Sequence, residues 1–330
     1  MILDRIPKFH LTRLETPLQE LKVISDHLKG PRIFIKRDDL TDVALGGNKT
    51  RKLEYLVADA LDQKADTLIT AGGIQSNHCR LTAAAAVRAG LRCELVLAGV
   101  EPDYPNGNVL LDRLLNAHLN WVTRPEREAE MERVAERLKK QGRKPYVIPV
   151  GGSNSIGALG YVNAFLELDQ QARKNDLKID HVIVASSSGG THAGLQLGAR
   201  IAGFQGKVTG ISIDQVKLGT DSFLPVLARL ANETAERLES SERFTENDFH
   251  LNCDYLGAGY AVMGDLEREA IQMMSGMEAI VLGPVYTGRA FGGLIDLIQK
   301  GEFRSTETVV FWHTGGTPEV FAYNQGLFPA

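Results

Sequence analysis

The chain has 330 residues, 43% hydrophobic and 24% charged, which excludes a mainly disordered protein and allows a sizeable core. Lys plus Arg number 37 against 41 Asp plus Glu, a net charge of −4, which argues against a nucleic-acid polyelectrolyte binder. No apolar run approaches the roughly 18 residues of a membrane span. The opening Met1-Ile2-Leu3-Asp4-Arg5 lacks the apolar stretch of a secretory signal. Three scattered cysteines, Cys79, Cys93 and Cys253, form no C-x-x-C pair and fit a reduced compartment, so a soluble cytoplasmic protein is expected.

Strand-like and helix-like runs alternate almost throughout. Arg32 to Lys36 reads as a strand, and Leu53, Leu56, Val57, Ala60 and Leu61 mark one buried face of a helix. Thr67 to Thr70 reads as a short buried strand. A small-residue helix runs through Ala83 to Ala86 and ends at Gly90, and Cys93 to Leu97 is the next strand. Met131, Val134, Ala135 and Leu138 give another amphipathic stripe. Tyr146 to Ile148, Val182 to Ala185, Val208 to Ile213, Ala279 to Leu282 and Val309 to Trp312 read as strands buried on both faces. This alternation predicts an α/β protein of open, twisted, mostly parallel sheets flanked by helices.

Glycine makes up 33 of the 330 residues, above the average of about 7%. The excess clusters at strand ends: Gly46-Gly47, Gly72-Gly73, Gly151-Gly152, Gly189-Gly190 and Gly315-Gly316. Ligands of open α/β sheets bind beyond the carboxyl ends of strands, so the clusters point to one site assembled from several loops. The Rossmann fingerprint, the P-loop, H-E-x-x-H and the nucleophile elbow are all missing from the sequence, and no metal is expected.

Five segments carry the candidate chemistry, each with a plainer alternative. Ser186 to Gly194 follows a strand and opens a helix, where converging N–H groups and the Ser188 and Thr191 hydroxyls suit a phosphate. The alternative is a tight turn with a capping serine. Lys49, in Gly46-Gly47-Asn48-Lys49-Thr50-Arg51-Lys52, sits where a helix dipole disfavours a cation, which favours the neutral amine that Schiff-base chemistry needs. The alternative is an exposed lysine in a surface turn. Gln75-Ser76-Asn77-His78 opens a helix able to hold a carboxylate, or is an ordinary N-cap at Ser76. Pro284-Val285-Tyr286-Thr287-Gly288 carries a phenol and a hydroxyl on what is otherwise a β-turn. His313-Thr314-Gly315-Gly316 ends the last strand, or simply breaks it. Together they supply the parts needed to hold pyridoxal phosphate and an amino acid.

From about Phe9 to Tyr323 the sequence resembles the family of 1-aminocyclopropane-1-carboxylate (ACC) deaminase and D-cysteine desulfhydrase, pyridoxal-phosphate enzymes of the tryptophan-synthase-β type, known as fold type II. Its most specific stretches are Ile35 to Asp39, Gly46 to Glu54, Gln75 to His78, Tyr146 to Gly152, Gly189 to Gly194 and Pro284 to Gly288. The resemblance implies a large cofactor domain of residues 1–52 and 161–330, a smaller substrate domain of 53–160 and a homodimer. It implies that Lys49 carries the cofactor covalently and that Asn77 sits by its ring hydroxyl. Ser188, Gly189, Gly190 and Thr191 are expected to hold the phosphate, and Ser76, Asn77 and His78 the substrate. Tyr286 and Tyr260 match two active-site tyrosines, to act with Lys49 and Ser76 in catalysis.

Within the family, ACC deaminases carry Glu, Leu and Gln where this chain has Thr287, Thr314 and His78, and at all three positions the chain resembles the desulfhydrases. The chemistry agrees. A carboxylate beside the pyridine nitrogen keeps it protonated and the ring a strong electron sink, which opening a cyclopropane requires. A threonine hydroxyl suffices when a thiolate departs, so Thr287 is expected near that nitrogen with Thr314 alongside. The expected reaction is β-elimination from a small thiol amino acid, D-cysteine going to pyruvate, ammonia and hydrogen sulfide. L-cysteate sulfo-lyases are similar in sequence, and Arg80 is either a group favouring their anionic leaving group or a helix surface charge. ACC deamination is a further alternative, and a non-catalytic cofactor or amino-acid binder is the reading from outside enzymes.

Overall fold

The computed structural model describes residues 2–12, 15–213, 217–218 and 221–328. In chain order the elements are β1 (Leu18–Glu20), α1 (Lys22–Leu28), β2 (Arg32–Arg37), α2 (Lys49–Asp62), β3 (Thr67–Gly73), α3 (Asn77–Ala89), β4 (Arg92–Ala98), α4 (Gly107–Leu114), β5 (His118–Val122), α5 (Arg127–Lys140) and β6 (Pro145–Val147). Then follow α6 (Ser155–Lys174), β7 (His181–Ser186), α7 (Gly190–Ala202), β8 (Lys207–Ser212), the short pair β9 (Lys217–Leu218) and β10 (Asp221–Ser222), and α8 (Phe223–Arg237). The chain closes with β11 (His250–Asn252), α9 (Asp265–Glu278), α10 (Thr287–Gln299), β12 (Thr308–His313) and α11 (Asn324–Leu327).

Two sheets organise these elements. The larger has the order β1-β2-β12-β7-β8-β11 and is parallel except for the edge pair β1–β2. The smaller, β5-β4-β3-β6, is wholly parallel and comes entirely from the chain between Thr67 and Val147. Every central strand is buried on both faces, which is why the sequence reads there as unbroken apolar runs. In β12, Val309 and Phe311 pack with Phe291 and Leu294 of α10, while Val310 and Trp312 pack with Tyr161 and Phe165 of α6. In β3, Leu68 joins α2 and α3, and Ile69 and Ala71 join Met131, Val134 and Leu138 of α5. Each such fully buried side chain contributes about 1.5–3 kcal/mol.

The α/β alternation expected from the sequence is present, with one correction. Ala279 to Leu282 is not a strand. Its alternation is real, since Ile280 and Leu282 are buried, but Ala279 leaves α9 in a left-handed conformation (φ 55°). The Val281 carbonyl then accepts from His313 Nε2 (3.2 Å) and Thr317 Oγ1 (3.3 Å), side chains in place of a ladder partner. The edge strands β1, β5 and β11 carry too weak an apolar pattern to be read in advance.

Behind the sheet edge, four buried or nearly buried charges lock α2 to both β2 and α6. Arg51 forks onto Asp38 and also bonds Glu167 (2.8 Å), and Lys36 pairs with Glu167 (2.5 Å). Asp38 further accepts from Tyr161 (2.6 Å) and Trp312 Nε1 (2.8 Å). Two positive and two negative groups balance, as burial demands. The network fixes the rotation of α2, and so the direction in which its first residue, Lys49, points.

Candidate active site

A cavity of about 540 Å³ opens between the carboxyl ends of the two sheets. Glycine-rich turns after β3, β6, β7 and β12 line it, and Asn48 and Lys49, which follow the Gly46-Gly47 cluster at the start of α2, close it. Lys49, Ser76, Asn77, His78, Ser188, Gly189, Thr191, Tyr260, Tyr286 and Thr314 all face it. Gly190 begins α7 just beneath.

Lys49 is the first residue of α2. Its Nζ donates to Asn48 Oδ1 (3.0 Å), and Asn48 Nδ2 in turn donates to Thr191 Oγ1 (3.1 Å), tying the amine to the α7 turn. Burial lowers the Lys49 pKa to about 8, with the negative charge of Glu319 working the other way. An amine with that value is about one-tenth neutral at pH 7, far more than an ordinary lysine, and the neutral form is the one that attacks a carbonyl.

Beside the α7 turn, which the sequence suggests could cradle a phosphate, the structure places a cation. Lys52, one helical turn beyond Lys49, is buried with its Nζ on Gly151 O (3.0 Å) and Ser153 Oγ (3.0 Å). Among the described residues no carboxylate pairs with it. Burial and the neighbouring Lys49 hold its pKa well below the lysine range. Ser153 Oγ also accepts from Gly190 N (3.1 Å) and meets Ser188 Oγ at 2.8 Å. Gly189 turns through φ 88°, and a Cβ on Gly190 would stand 2.8 Å from Lys52 Nζ. A buried cation without a counter-charge, hydroxyls and a helix N-terminus in a cradle that tolerates no Cβ fit a phosphate dianion. Lys52, Asn48 and Ser153 have no individual signal in the sequence. Lys52 sits three residues from Lys49, on the same helix face, which is the one hint available.

Across the cavity, Ser76 caps α3 by accepting from Cys79 N (3.2 Å) and keeps its own proton to donate. Asn77 is held from both sides. Its Oδ1 accepts from Asn108 Nδ2 (2.9 Å) and Arg80 Nη2 (3.4 Å), and its Nδ2 donates to Glu319 Oε1 (2.5 Å). Because the Thr70 hydroxyl donates to Ile148 O (2.8 Å), the His78 Nε2 that meets it at 2.9 Å carries the ring proton. Burial beside Lys49 and Lys52 keeps His78 neutral.

Arg80 fits neither expectation. It is fully buried, not a helix surface charge, and it is spent on Asn108 Oδ1 (2.6 Å), Gly46 O (3.0 Å) and the Ala44 carbonyl, away from the cavity lining. Besides Lys49, the cations that line the cavity are Arg124, just before α5, and Arg127, at its start. Arg124 stacks over the Tyr260 ring with its guanidinium carbon 5.1 Å from the centroid.

Tyr260 and Tyr286 share a hydrogen bond of 2.6 Å. The loop bearing Tyr260 is held by buried Arg289 of α10, which donates to Leu256 O (2.7 Å), Gly259 O (3.1 Å) and Val262 O (2.8 Å) and pairs with Glu267 (2.5 Å). Pro284 to Tyr286 is a turn, as the sequence suggests, and Thr287 and Gly288 begin α10. Thr314 lines the cavity. Thr287 does not: its Oγ1 accepts from Gly283 N (2.7 Å) and donates to Gly315 O (3.1 Å), so it stands one peptide behind the wall.

Comparison with known proteins gives a consistent result. The family model described as pyridoxal-phosphate dependent enzyme matches residues 10–315. A D-cysteine desulfhydrase of Klebsiella pneumoniae (strain 342) is 44% identical over 331 residues, covering 98% of each chain. A solved ACC deaminase homologue has a TM-score of 0.91 at 40% identity, covering 99% of this chain and 97% of that one. The apo form of Escherichia coli diaminopropionate ammonia lyase, at 15% identity and a TM-score of 0.70 over 99% and 90% of the two chains, shares the fold.

Proposed function

The chain belongs to the pyridoxal-phosphate dependent enzymes, and we propose that it is a carbon–sulfur lyase converting D-cysteine and water to pyruvate, ammonia and hydrogen sulfide. The observation that carries the reading is the Lys49 amine, tuned toward neutrality, facing a cavity with the Lys52 cup on one side and the Ser76–His78 turn on the other. The similarity to a D-cysteine desulfhydrase supports the thiol substrate.

When bound, pyridoxal phosphate supplies an electron sink for the bond broken at the substrate Cα. Lys52, Ser153, Ser188, Thr191 and the Gly189–Gly190 backbone hold its phosphate. Lys49 would be its attachment point and the base that takes the proton from the substrate Cα. Asn77 would lie by its ring hydroxyl, and Ser76 with the first N–H groups of α3 would receive the substrate carboxylate. His78, neutral, shapes that pocket without adding charge. Tyr286, hydrogen-bonded to Tyr260, gives a proton to the departing sulfur, and Tyr260 steadies it. Thr314, in the cavity wall, would lie beside the ring, and Thr287 would support the same wall through Gly315.

Residues 53–160, which supply the whole smaller sheet, form the substrate domain, and residues 1–52 with 161–330 the cofactor domain. A cytoplasmic homodimer completes the reading. Among the described residues no helix is long and apolar enough to cross a membrane.

A second reading, elimination of sulfite from L-cysteate, is favoured by Arg124 and Arg127 in the cavity wall, though Glu128 and Glu132 beside them temper their field. Purified holoenzyme incubated in parallel with D-cysteine, L-cysteine, L-cysteate and ACC decides. Sulfide from D-cysteine supports the proposal, sulfite from L-cysteate replaces it, and 2-oxobutyrate from ACC identifies a deaminase.

A further inference from the structure

Glu319 is a fully buried carboxylate in the turn that follows β12, and the sequence reading gave it no role. Its two oxygens hold opposite sides of the site. Oε1 accepts from Asn77 Nδ2 (2.5 Å), and Oε2 accepts from Val285 N (3.4 Å), the residue before Tyr286. A Cβ on Gly316 would lie 3.2 Å from Oε2 and 3.5 Å from Asn77 Nδ2, so the backbone there leaves room for this contact and little else.

We propose that Glu319 is a positioning residue of this site: it fixes the Asn77 amide, and through that contact its carboxyl is held where it bears on the nitrogen of Lys49. Asn77 Oδ1 is already committed to Asn108 and Arg80, so Glu319 takes one Nδ2 hydrogen and the remaining one is left for the cavity. The amide can then present only its N–H, never its oxygen, to whatever lies against it. The charged groups that bear on Glu319 are Lys49 of α2, Arg80 of α3 and the phenol of Tyr323 downstream. Arg80 is spent on two carbonyls and two asparagine oxygens. On the Lys49 side the other titratable neighbours are Lys52 and His78, neither of them anionic. Among the described residues Glu319 is the carboxyl acting on Lys49, and because burial raises its own pKa to about 8 it carries its charge toward the alkaline side of that value.

The inference rests on Lys49 as the attachment point. Its test is the pH titration of the bound cofactor's visible absorption in the holoenzyme, from about pH 6 to about pH 10, which reads the protonation of the attached nitrogen. Where Glu319 is ionised its loss lowers that midpoint, so Glu319→Gln should move it down by about half a pH unit or more. Glu319→Asp, which keeps the charge, should return it toward wild type. An unmoved or raised midpoint in folded Glu319→Gln protein overturns the inference and leaves Glu319 a packing residue. Glu319→Ala adds a cavity, and if it does not fold the Gln and Asp variants decide alone. Lys49→Ala separates the two failures. If it keeps a wild-type titration, the attachment reading falls and this inference with it. If it loses the titration while Glu319→Gln keeps the wild-type midpoint, only the role of Glu319 falls.

Discussion

Arg51 grips Asp38 through both Nε (3.0 Å) and Nη2 (2.9 Å), one residue pair joining the helix that begins with Lys49 to the strand beside the central one. The pair is buried and shares its charge with Lys36 and Glu167. Removing one member strands the others. Asp38→Asn should cost about 3–5 kcal/mol in a denaturant titration. Arg51 also holds the Asp38 carboxyl below the usual range, although burial alone pushes it up. A lowered carboxyl pKa gives stability that is complete above the unfolded value of about 4 and is lost as the pH falls toward the folded value. Wild type should lose stability across that acid window, and Asp38→Asn should lose less of it. Equal acid slopes for the two proteins would contradict this.

The two lysines of α2 should separate cleanly. Lys49→Ala should abolish turnover while phosphate-anchored, non-covalent cofactor binding persists. Lys52→Met removes the buried cation beneath the cup and should weaken cofactor affinity at least about tenfold, in line with a charged hydrogen bond of about 1.5–3 kcal/mol. Cofactor loss on dialysis, followed by absorbance, measures both. Retention as tight as wild type in Lys52→Met would place the phosphate elsewhere.

The tyrosine pair predicts unequal partners. Tyr286→Phe removes the proton donor and should lower kcat by about 10²-fold or more, the usual scale of general acid catalysis. Tyr260→Phe removes only the 2.6 Å hydrogen bond that steadies it and should cost less. Steady-state rates of sulfide release compare them, and the reverse ranking would exchange the assigned roles.

Much of the architecture was legible because strands buried on both faces leave dense apolar runs, and because glycine accumulates where backbones must turn close to a ligand. Ala279 to Leu282 misled for the same reason, since a buried extended connector shows the same alternation as a strand. In the site, Lys49 and the α7 turn stood out by position at helix starts. Lys52, Ser153, Arg289 and Glu319 did not, because their roles depend on partners some 22 to 242 residues away that only the fold supplies. Thr287 shows the limit most plainly. Its place in the sequence suggests contact with the ring, yet its hydroxyl closes on Gly283 and Gly315.

Thr287 and Thr314 together provide a test of reaction type. Replacing them with Glu and Leu puts a carboxylate just behind the wall and removes the Thr314 hydroxyl from it. The pair should lower sulfide release and raise the ratio of ACC ring-opening to sulfide release. General damage lowers both activities together, so an unchanged ratio in folded, cofactor-loaded protein would mean these residues do not choose the reaction. Thr287→Val alone leaves the buried Gly283 N–H without its acceptor and should cost about 1–3 kcal/mol of stability.

The measurement closest to the central claim is the product stoichiometry of wild-type holoenzyme with D-cysteine, run beside Lys49→Ala. Elimination through Lys49 predicts pyruvate, ammonia and sulfide in equal amounts, with Lys49→Ala releasing none of them above the rate of free cofactor. Pyruvate without sulfide, or wild-type turnover in Lys49→Ala, would contradict it.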